Sequence, residues 1–593
     1  MKRRVADIIM DVLVKQGITD CFAVVGGGAM HLNNALGLNN SIHKIFNHHE
    51  QACAMAAEAY ARISGRMAAV CVTSGPGATN ALTGVMGAWQ DSLPILVLSG
   101  QVRYELTVEK SGLPLRYRGI QEFDILHSIQ NMTKYAVMLK DPLEVKRELL
   151  KAIHIAMSGR RGPVWLEIPL DVQSALVEED NMYLPEKTAD TIPKASLQEW
   201  NVAIQKLKQA KRPCVLVGNG VANSGNIQRF RRFAEDLRIP VIAATISADA
   251  MYTDCPYYYG MSGSMGLRCG NFIVQNADVI LSVGCSLGFK MTGYEQEMFA
   301  PKAYMIAVDI DENEMRKPGV RVDQFIHSDL SAFFDVTEDT TPQIETKKEW
   351  FDYCDSLRAR FSPFEPGDNK APDERVCMYY FWKRYQEFEP EDSISALGNN
   401  TANSAKLQIG IKCPKQRIIT NNNCGSMGLD LPGAIGAAVV TKKQVICLTG
   451  DGSIMMNLQE LQTIKHNNLP IKIVVFSNDG YNAIRQTCKN YFHGVQIGCS
   501  PDSGVSFPAF SKIADAFGYE YYCCHSNREV DDALKWLFES EGQVLLEVKQ
   551  LLDDPVTPRV MSRMLPDGTF ATPALQDMSP FLDQDEYEHL MLW

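Results

Sequence analysis

The feature that most constrains this chain is a repeated local pattern. A short apolar run ends in a glycine or proline turn, a helical pattern follows, and the cycle begins again. DCFAVVGGG, HKIFNH, MAAVCVTSGPG, LPILVLSG and PVWLEIPLD form one such series. RPCVLVGNGV, IPVIAAT, ADVILSVGC and AYMIAVDID form a second, and DSISALGNN, QRIITNNN, QVICLTGDG, IKIVVFSNDG and GQVLLEV a third. Strands alternating with helices predict parallel sheets covered by helices on both faces, so the expected fold class is α/β with three doubly wound parallel-sheet domains. The 593 residues are too many for one core, and roughly 100 to 200 residues per domain gives about three or four. The expected division is 1–173, a linker 174–194, a central domain 195–336, a looser segment 337–372, a third domain 373–552 and an extended tail 553–593.

Composition excludes several functions. Net charge is −12, so affinity for polyanions by counterion release is not expected, and no nucleic-acid partner is assigned. Sixteen cysteines are spread over the chain without a Cys-x-x-Cys pair, which reads as reduced thiols in a cytoplasm. MKRRVADIIMDVLVKQG imitates a signal peptide, but Asp7 and Asp11 interrupt its apolar run at helical spacing. It reads as an amphipathic surface helix. No apolar run approaches the ~20 residues of a membrane span.

Chemistry concentrates at Gly450-Asp451-Gly452-Ser453. A β-branched strand leads in, and NLQELQTIKHN follows with Leu458, Leu461 and Ile464 on one helical face. Glycines at a strand-to-helix turn let backbone amides approach an anion, and the helix start favours phosphate. Asp451 beside that phosphate calls for a cation, and Mg²⁺ suits oxygen ligands shared with phosphates. The next strand, IKIVVFS, returns parallel and delivers Asn478, 27 residues after Asp451, to the same sheet edge. By themselves GDG and Asn-Asp-Gly are equally plain tight turns.

Together these motifs resemble the metal and diphosphate site of thiamine diphosphate enzymes. The resemblance implies Asp451, Asn478 and the Gly480 carbonyl as Mg²⁺ ligands; the usual Asn-Asn is Asn478-Asp479 here, which leaves the first asparagine in place. It extends to further segments. FNHHEQACAMAAEAYARISG resembles the family's cofactor-activating strand end, with Glu50 matched to the glutamate that protonates the aminopyrimidine. VTSGPGATNALTGVMGAWQDSLPILVLSGQV, with Gly75, Pro76 and Asn80, resembles the next cofactor-binding segment. NNNCGSMGLDLPGAIGAA resembles the loop that bends the cofactor, with Met427 as apolar wedge and Gly425 near the pyrimidine amino group. Gly398, Asn399, Asn400, Gly450, Gly452, Ser453, Tyr481 and Asn482 complete the implied cofactor contacts; Gln121 and Lys134 match active-site positions. A solitary glutamate at a helix start is ordinarily a solvated cap; the co-occurrence of motifs in order over roughly residues 1–550 is what gives Glu50 its role. The group most closely resembled is the acetolactate synthase group. That likeness implies a pyrimidine-binding, a central and a diphosphate-binding domain, and a homodimer or homotetramer with Glu50 facing the partner's diphosphate domain.

Three departures bear on substrate. Where the synthases carry Arg-Gln-Trp this chain has Arg485-Gln486-Thr487, so a hydroxyl replaces an aromatic wall. The position read as matching the synthases' acceptor-binding arginine is Ser286, with Lys290 the nearest cation, and losing a bidentate carboxylate donor is not conservative. A longer segment, VRYELTVEKSGLPLRYRGI, adds Arg103, Arg116 and Arg118. The expected activity is carboligation: a 2-keto acid, pyruvate, is decarboxylated and its two-carbon unit passes to a carbonyl acceptor bearing phosphate, such as a nucleotide-linked keto sugar. The alternatives are acetolactate synthase proper, a 2-keto acid decarboxylase, or a non-catalytic cofactor-binding regulator. GNGVANSG, TISADAMY, YYYGMSGSMG and AVDIDENE resemble the synthases' flavin-bearing central domain, making FAD near Asp309 and Asp311 a further expectation with no redox role.

Overall fold

The computed structural model describes every residue except 187–190, 369, 565, 566 and 568. Those positions of the expected linkers and tail lie outside the described residues. Three six-stranded parallel sheets carry the fold. In the first the strands run His43–Phe46, Asp20–Ala23, Ala69–Val72, Leu96–Gln101, Val164–Pro169, Tyr135–Met138 from edge to edge. In chain order that is 2-1-3-4-6-5. The third sheet repeats it: Arg417–Ile419, Ile394–Leu397, Val445–Gly450, Ile471–Ser477, Val544–Lys549, Glu520–Cys524. The central sheet runs Tyr258–Ser262, Val241–Ala244, Pro213–Val217, Val279–Val283, Tyr304–Asp309, Gln324–His327, the 3-2-1-4-5-6 order of dinucleotide-binding folds. In such sheets ligands bind outside the carboxyl ends of the strands, which is where the glycine-rich turns fall.

The first and third domains share one hydrophobic core. Its centre is the packing of helix Glu50–Ser64 on helix Asp430–Thr441. Alanines on the first helix and glycines on the second bring the backbones into contact: a Cβ at Gly436 would lie 2.0 Å from the Ala56 carbonyl oxygen. Two buried polar bonds cross the same junction, Asn47 Nδ2 to Glu460 (2.8 Å) and His48 N to Glu460 (3.0 Å). Helix Val5–Lys15 lays its apolar face, Val5, Ile8, Ile9, Val12 and Leu13, on the first domain. Among the described residues no helix is long and apolar enough to cross a membrane, and all sixteen cysteines are free thiols.

The carboxyl-terminal segment departs from the extended tail expected of it. It contains a short antiparallel pair, Arg563–Met564 with Phe570–Ala571, and a helix, Gln584–Leu590. It is anchored on central-domain helix Arg268–Asn276, where Asn271 Nδ2 donates to the Leu575 carbonyl (2.8 Å) and Gln275 Nε2 to Gln576 (2.9 Å). Buried amides that need partners hold the segment down.

Candidate active site

Two clusters form, one at the carboxyl edge of the first sheet and one at that of the third. In the first, strand His43–Phe46 leads through Asn47-His48-His49 into helix Glu50–Ser64, whose start is capped by His49 accepting the Gln51 N–H (3.1 Å). This cap sets Glu50 at the first helical position, half-buried, where Asn80 Nδ2 donates to its carboxylate (2.9 Å). Asn80 ends the short helix Pro76–Asn80, which follows the turn at Gly75. Gly75 has φ +56°, and a Cβ there would lie 2.3 Å from the Gln121 carbonyl oxygen. Gln121 is itself left-handed, φ +58°. Glu50, Gly75, Pro76, Asn80 and Gln121 are thus brought together.

Lys134 is not part of this cluster. Its ammonium donates to the carbonyls of Ile155 and Ser158 (2.6 Å) at the end of helix Val145–Met157. The unsatisfied carbonyls of a helix end attract a nearby cation, and the expected active-site lysine is used there.

In the third domain, strand Val445–Gly450 ends at Asp451, which begins the short helix Asp451–Ile454. The Asp451 carboxylate is buried and accepts the backbone N–H groups of Gly452 (2.9 Å), Asn478 (3.0 Å) and Gly480 (3.3 Å). Burial nonetheless pushes its pKa up to about 7. A divalent cation would supply the missing counter-charge. Asn478 adds an amide oxygen, which accepts Arg485 Nη2 (3.1 Å); the same nitrogen donates to the Asn478 carbonyl (2.7 Å). One carboxylate with amide and carbonyl oxygens is a hard donor set of the kind Mg²⁺ takes. Among the described residues no group of three or more His, Cys, Asp or Glu is placed to hold a metal.

Around Asp451 the remaining residues form a cradle. Gly398-Asn399-Asn400 lies at the end of strand Ile394–Leu397; Asn400 Oδ1 caps helix Thr401–Ile409, while its Nδ2 is buried without a partner among the described residues. Asn399 Nδ2 donates to the Gly425 carbonyl. Tyr481 lays its ring against Gly452, and buried Asn482 donates to the Asp554 carbonyl (2.8 Å). Ser453 Oγ donates to Asp430 (2.6 Å) and accepts the Gly428 N–H (3.0 Å), which fixes the loop carrying half-buried Met427. A buried donor such as Asn400 Nδ2 at a glycine-lined turn fits an anion's oxygen. Asp430 escaped the sequence reading. Its signal was an acid set beside the wholly apolar helix LPGAIGAA.

The acceptor-side expectations divide. Thr487 is exposed on helix Asn482–Tyr491, its hydroxyl donating to the Ala483 carbonyl (3.1 Å). Lys290 is no free cation: it reaches from the central domain to the Asn422 carbonyl and side chain, and burial lowers its pKa. The Ser286 carbonyl receives Lys317. Arg118 donates to the Glu105 carbonyl (2.6 Å). Arg103 and Arg116 are exposed, and among the described residues their guanidinium groups have no hydrogen-bond or ion-pair partner. Of the carboxylates expected near a flavin, Asp311 caps helix Glu312–Arg316 and pairs with Arg160 (3.0 Å), and Asp309 accepts the Asp311 N–H (2.9 Å).

Between them the two clusters share no hydrogen bond among the described residues, since Glu50 bonds Asn80 and not Asp451 or Asn478. Three family models match the chain: "Thiamine pyrophosphate enzyme, N-terminal TPP binding domain" over residues 3–128, the central domain of the same enzymes over 200–336, and their C-terminal TPP binding domain over 396–548. The acetolactate synthase isozyme 2 large subunit of Escherichia coli is 31% identical, the match covering 92% of this chain and 95% of the relative. A probable acetolactate synthase large subunit of Methanocaldococcus jannaschii is 30% identical over 99% of this chain and 98% of its own. Chloroplastic acetolactate synthase 2 of Nicotiana tabacum is 29% identical over 94% and 84%.

Proposed function

This chain belongs to the acetolactate synthase-like family of thiamine diphosphate-dependent, C–C bond-forming enzymes, and from that premise we propose that it transfers a two-carbon unit from pyruvate to a nucleotide-linked keto sugar. Bound thiamine diphosphate supplies the carbanion and electron sink. The residues supply the rest. Glu50, held by Asn80, stands for the carboxylate that shares a proton with the aminopyrimidine. Asp451, Asn478 and the Gly480 carbonyl would hold Mg²⁺, and buried Asn400 Nδ2 would be available to the diphosphate. Gln121 and Met427 orient the reactants, and exclusion of water favours ligation over release of free aldehyde. The site is completed across a homodimer, Glu50 of one subunit serving the Asp451 cluster of the other.

The observation that carries the choice of acceptor is the open wall at Thr487, exposed where the resemblance places a tryptophan. Unpaired Arg103 and Arg116 suit an acceptor with phosphate, because guanidinium matches phosphate oxygens bidentately. The curated relatives favour a second reading, acetolactate synthase itself.

Mass spectrometry of products separates the two. Pyruvate, thiamine diphosphate and Mg²⁺ are supplied alone and with nucleoside diphosphate 4-ketohexoses. A two-carbon adduct formed only with the sugar nucleotide is the expected result. Acetolactate from pyruvate alone, with no adduct, overturns the acceptor assignment.

A further inference from the structure

The 102–120 segment is closed on itself by one carboxylate. Glu122 accepts the backbone N–H groups of Val108, Arg118 (2.7 Å) and Gly119 (3.0 Å). Bonds from N–H groups to a carboxylate are charge-assisted and stronger than neutral ones. They tie residue 108 to residues 118 and 119 across the neck of the loop. The segment is also seated on its own stem, because a Cβ at Gly119 would lie 2.7 Å from the Val102 side chain.

Glu122 directly follows Gln121, whose left-handed backbone is one that residues with side chains adopt only when their surroundings impose it. On the far side, the Phe123 carbonyl accepts Gln101 Nε2 (3.2 Å), and that nitrogen also donates to buried Glu167 (2.8 Å). Gln121 therefore lies between two anchors, one on the loop and one on the sheet. The loop that Glu122 closes also carries the unpaired Arg116, with Arg103 at its base.

We propose that Glu122 is a positioning residue that locks the 102–120 loop and, through the shared backbone, holds Gln121 against Gly75, making this loop the specificity-determining wall on the acceptor side. The functional half rests on the carboligase reading; the structural half does not.

Hydrogen exchange by mass spectrometry on the full-length protein reads the lock directly. In Glu122→Ala, exchange at the Val108, Arg118 and Gly119 amides, and at the residue-122 amide that donates to the Gly119 carbonyl (3.3 Å), is expected to rise about tenfold or more. Glu122→Gln keeps one acceptor oxygen and is expected to fall between. The second readout is partition, namely the ratio of free acetaldehyde to product ligated to a nucleoside diphosphate 4-ketohexose. It is expected to rise about fivefold in Glu122→Ala, while the pyruvate KM and the thiamine diphosphate Kd move less than about twofold. Unchanged exchange overturns the lock. Raised exchange with unchanged partition overturns the link to Gln121 and leaves the carboligase reading intact. A wild-type protein that ligates nothing overturns that reading instead, and exchange at the Val108, Arg118, Gly119 and residue-122 amides then decides the structural half alone.

Discussion

Glu167 lies on the fully buried strand Val164–Pro169, with one oxygen bonded to Gln101 (2.8 Å) and the other without a partner among the described residues. Burial, with smaller contributions from Asp124, Glu109 and Glu122, pushes its pKa from 4.5 up to about 8. Between those values the folded chain keeps a proton that the unfolded chain has lost. Stability from this group is therefore full below about pH 4.5, falls as pH rises, and levels off above about 8. Replacing it by glutamine removes the titration, so the urea midpoint of Glu167→Gln is expected to gain on wild type between pH 5 and 8.5 by the equivalent of a few kcal/mol at most. A constant difference across that range would show that Glu167 is ionised in the fold. No local sequence signal marks this residue, because its state depends on burial between distant strands. The strand-end positions of Asp451 and Asn478 could be read for the opposite reason, since each lies in a turn motif a few residues long, whereas Glu50 stands out only by resemblance over a long stretch. Lys134 and Lys290 misled because a lysine's reach lets the fold use its charge elsewhere, at a helix end and on the Asn422 loop.

At the scale of elements, the strands that sequence patterning revealed are mostly those with both faces covered. Tyr135–Met138, Tyr258–Ser262, Gln324–His327 and Glu520–Cys524 were not legible, and all four are edge strands. Three of them are only partly buried, so no continuous apolar run is demanded of them. The repeated α/β alternation was enough for the fold class; the matching order of the first and third sheets needed the pairing itself. The contact of helix Glu50–Ser64 with helix Asp430–Thr441 likewise depends on glycine spacing that only packing explains. Gly436→Ala would place a methyl 2.0 Å from the Ala56 carbonyl oxygen, forcing the helices apart and costing about 1–3 kcal/mol. Gly433→Ala meets nothing closer than 3.5 Å, so the gain in helix propensity, up to about 1 kcal/mol, decides its sign. Thermal melting of the two variants should move in opposite directions. Equal destabilisation would mean that helix packing does not discriminate between them.

For the whole molecule, the decisive question is which chain completes which site. Glu50 and Asp451 stand at the carboxyl edges of two different sheets, and among the described residues no hydrogen bond joins the two carboxylates or their direct partners; Asn457 Nδ2, donating to Gln51 (3.1 Å) and to the Gly428 carbonyl (2.8 Å), bridges only the neighbouring segments. If a two-fold axis pairs the first domain of one subunit with the third domain of its partner, each dimer has two composite sites. Single substitutions then have a defined arithmetic. Glu50→Gln keeps the diphosphate cradle and should bind thiamine diphosphate with little change while losing about 10²-fold or more in turnover. Asp451→Asn should lose Mg²⁺-dependent cofactor binding, which calorimetry reads directly. Each homodimer is inactive, yet a mixed dimer keeps one site made from the intact Glu50 of one chain and the intact Asp451 of the other. Co-expression with random pairing makes half the dimers mixed, and half the sites in those are whole, so about a quarter of wild-type turnover should return. Sites contained within single chains would return none, because every chain then carries one defect. Recovery near a quarter, measured with pyruvate and the acceptor identified by mass spectrometry, therefore places the site between subunits, and its absence places the site within one.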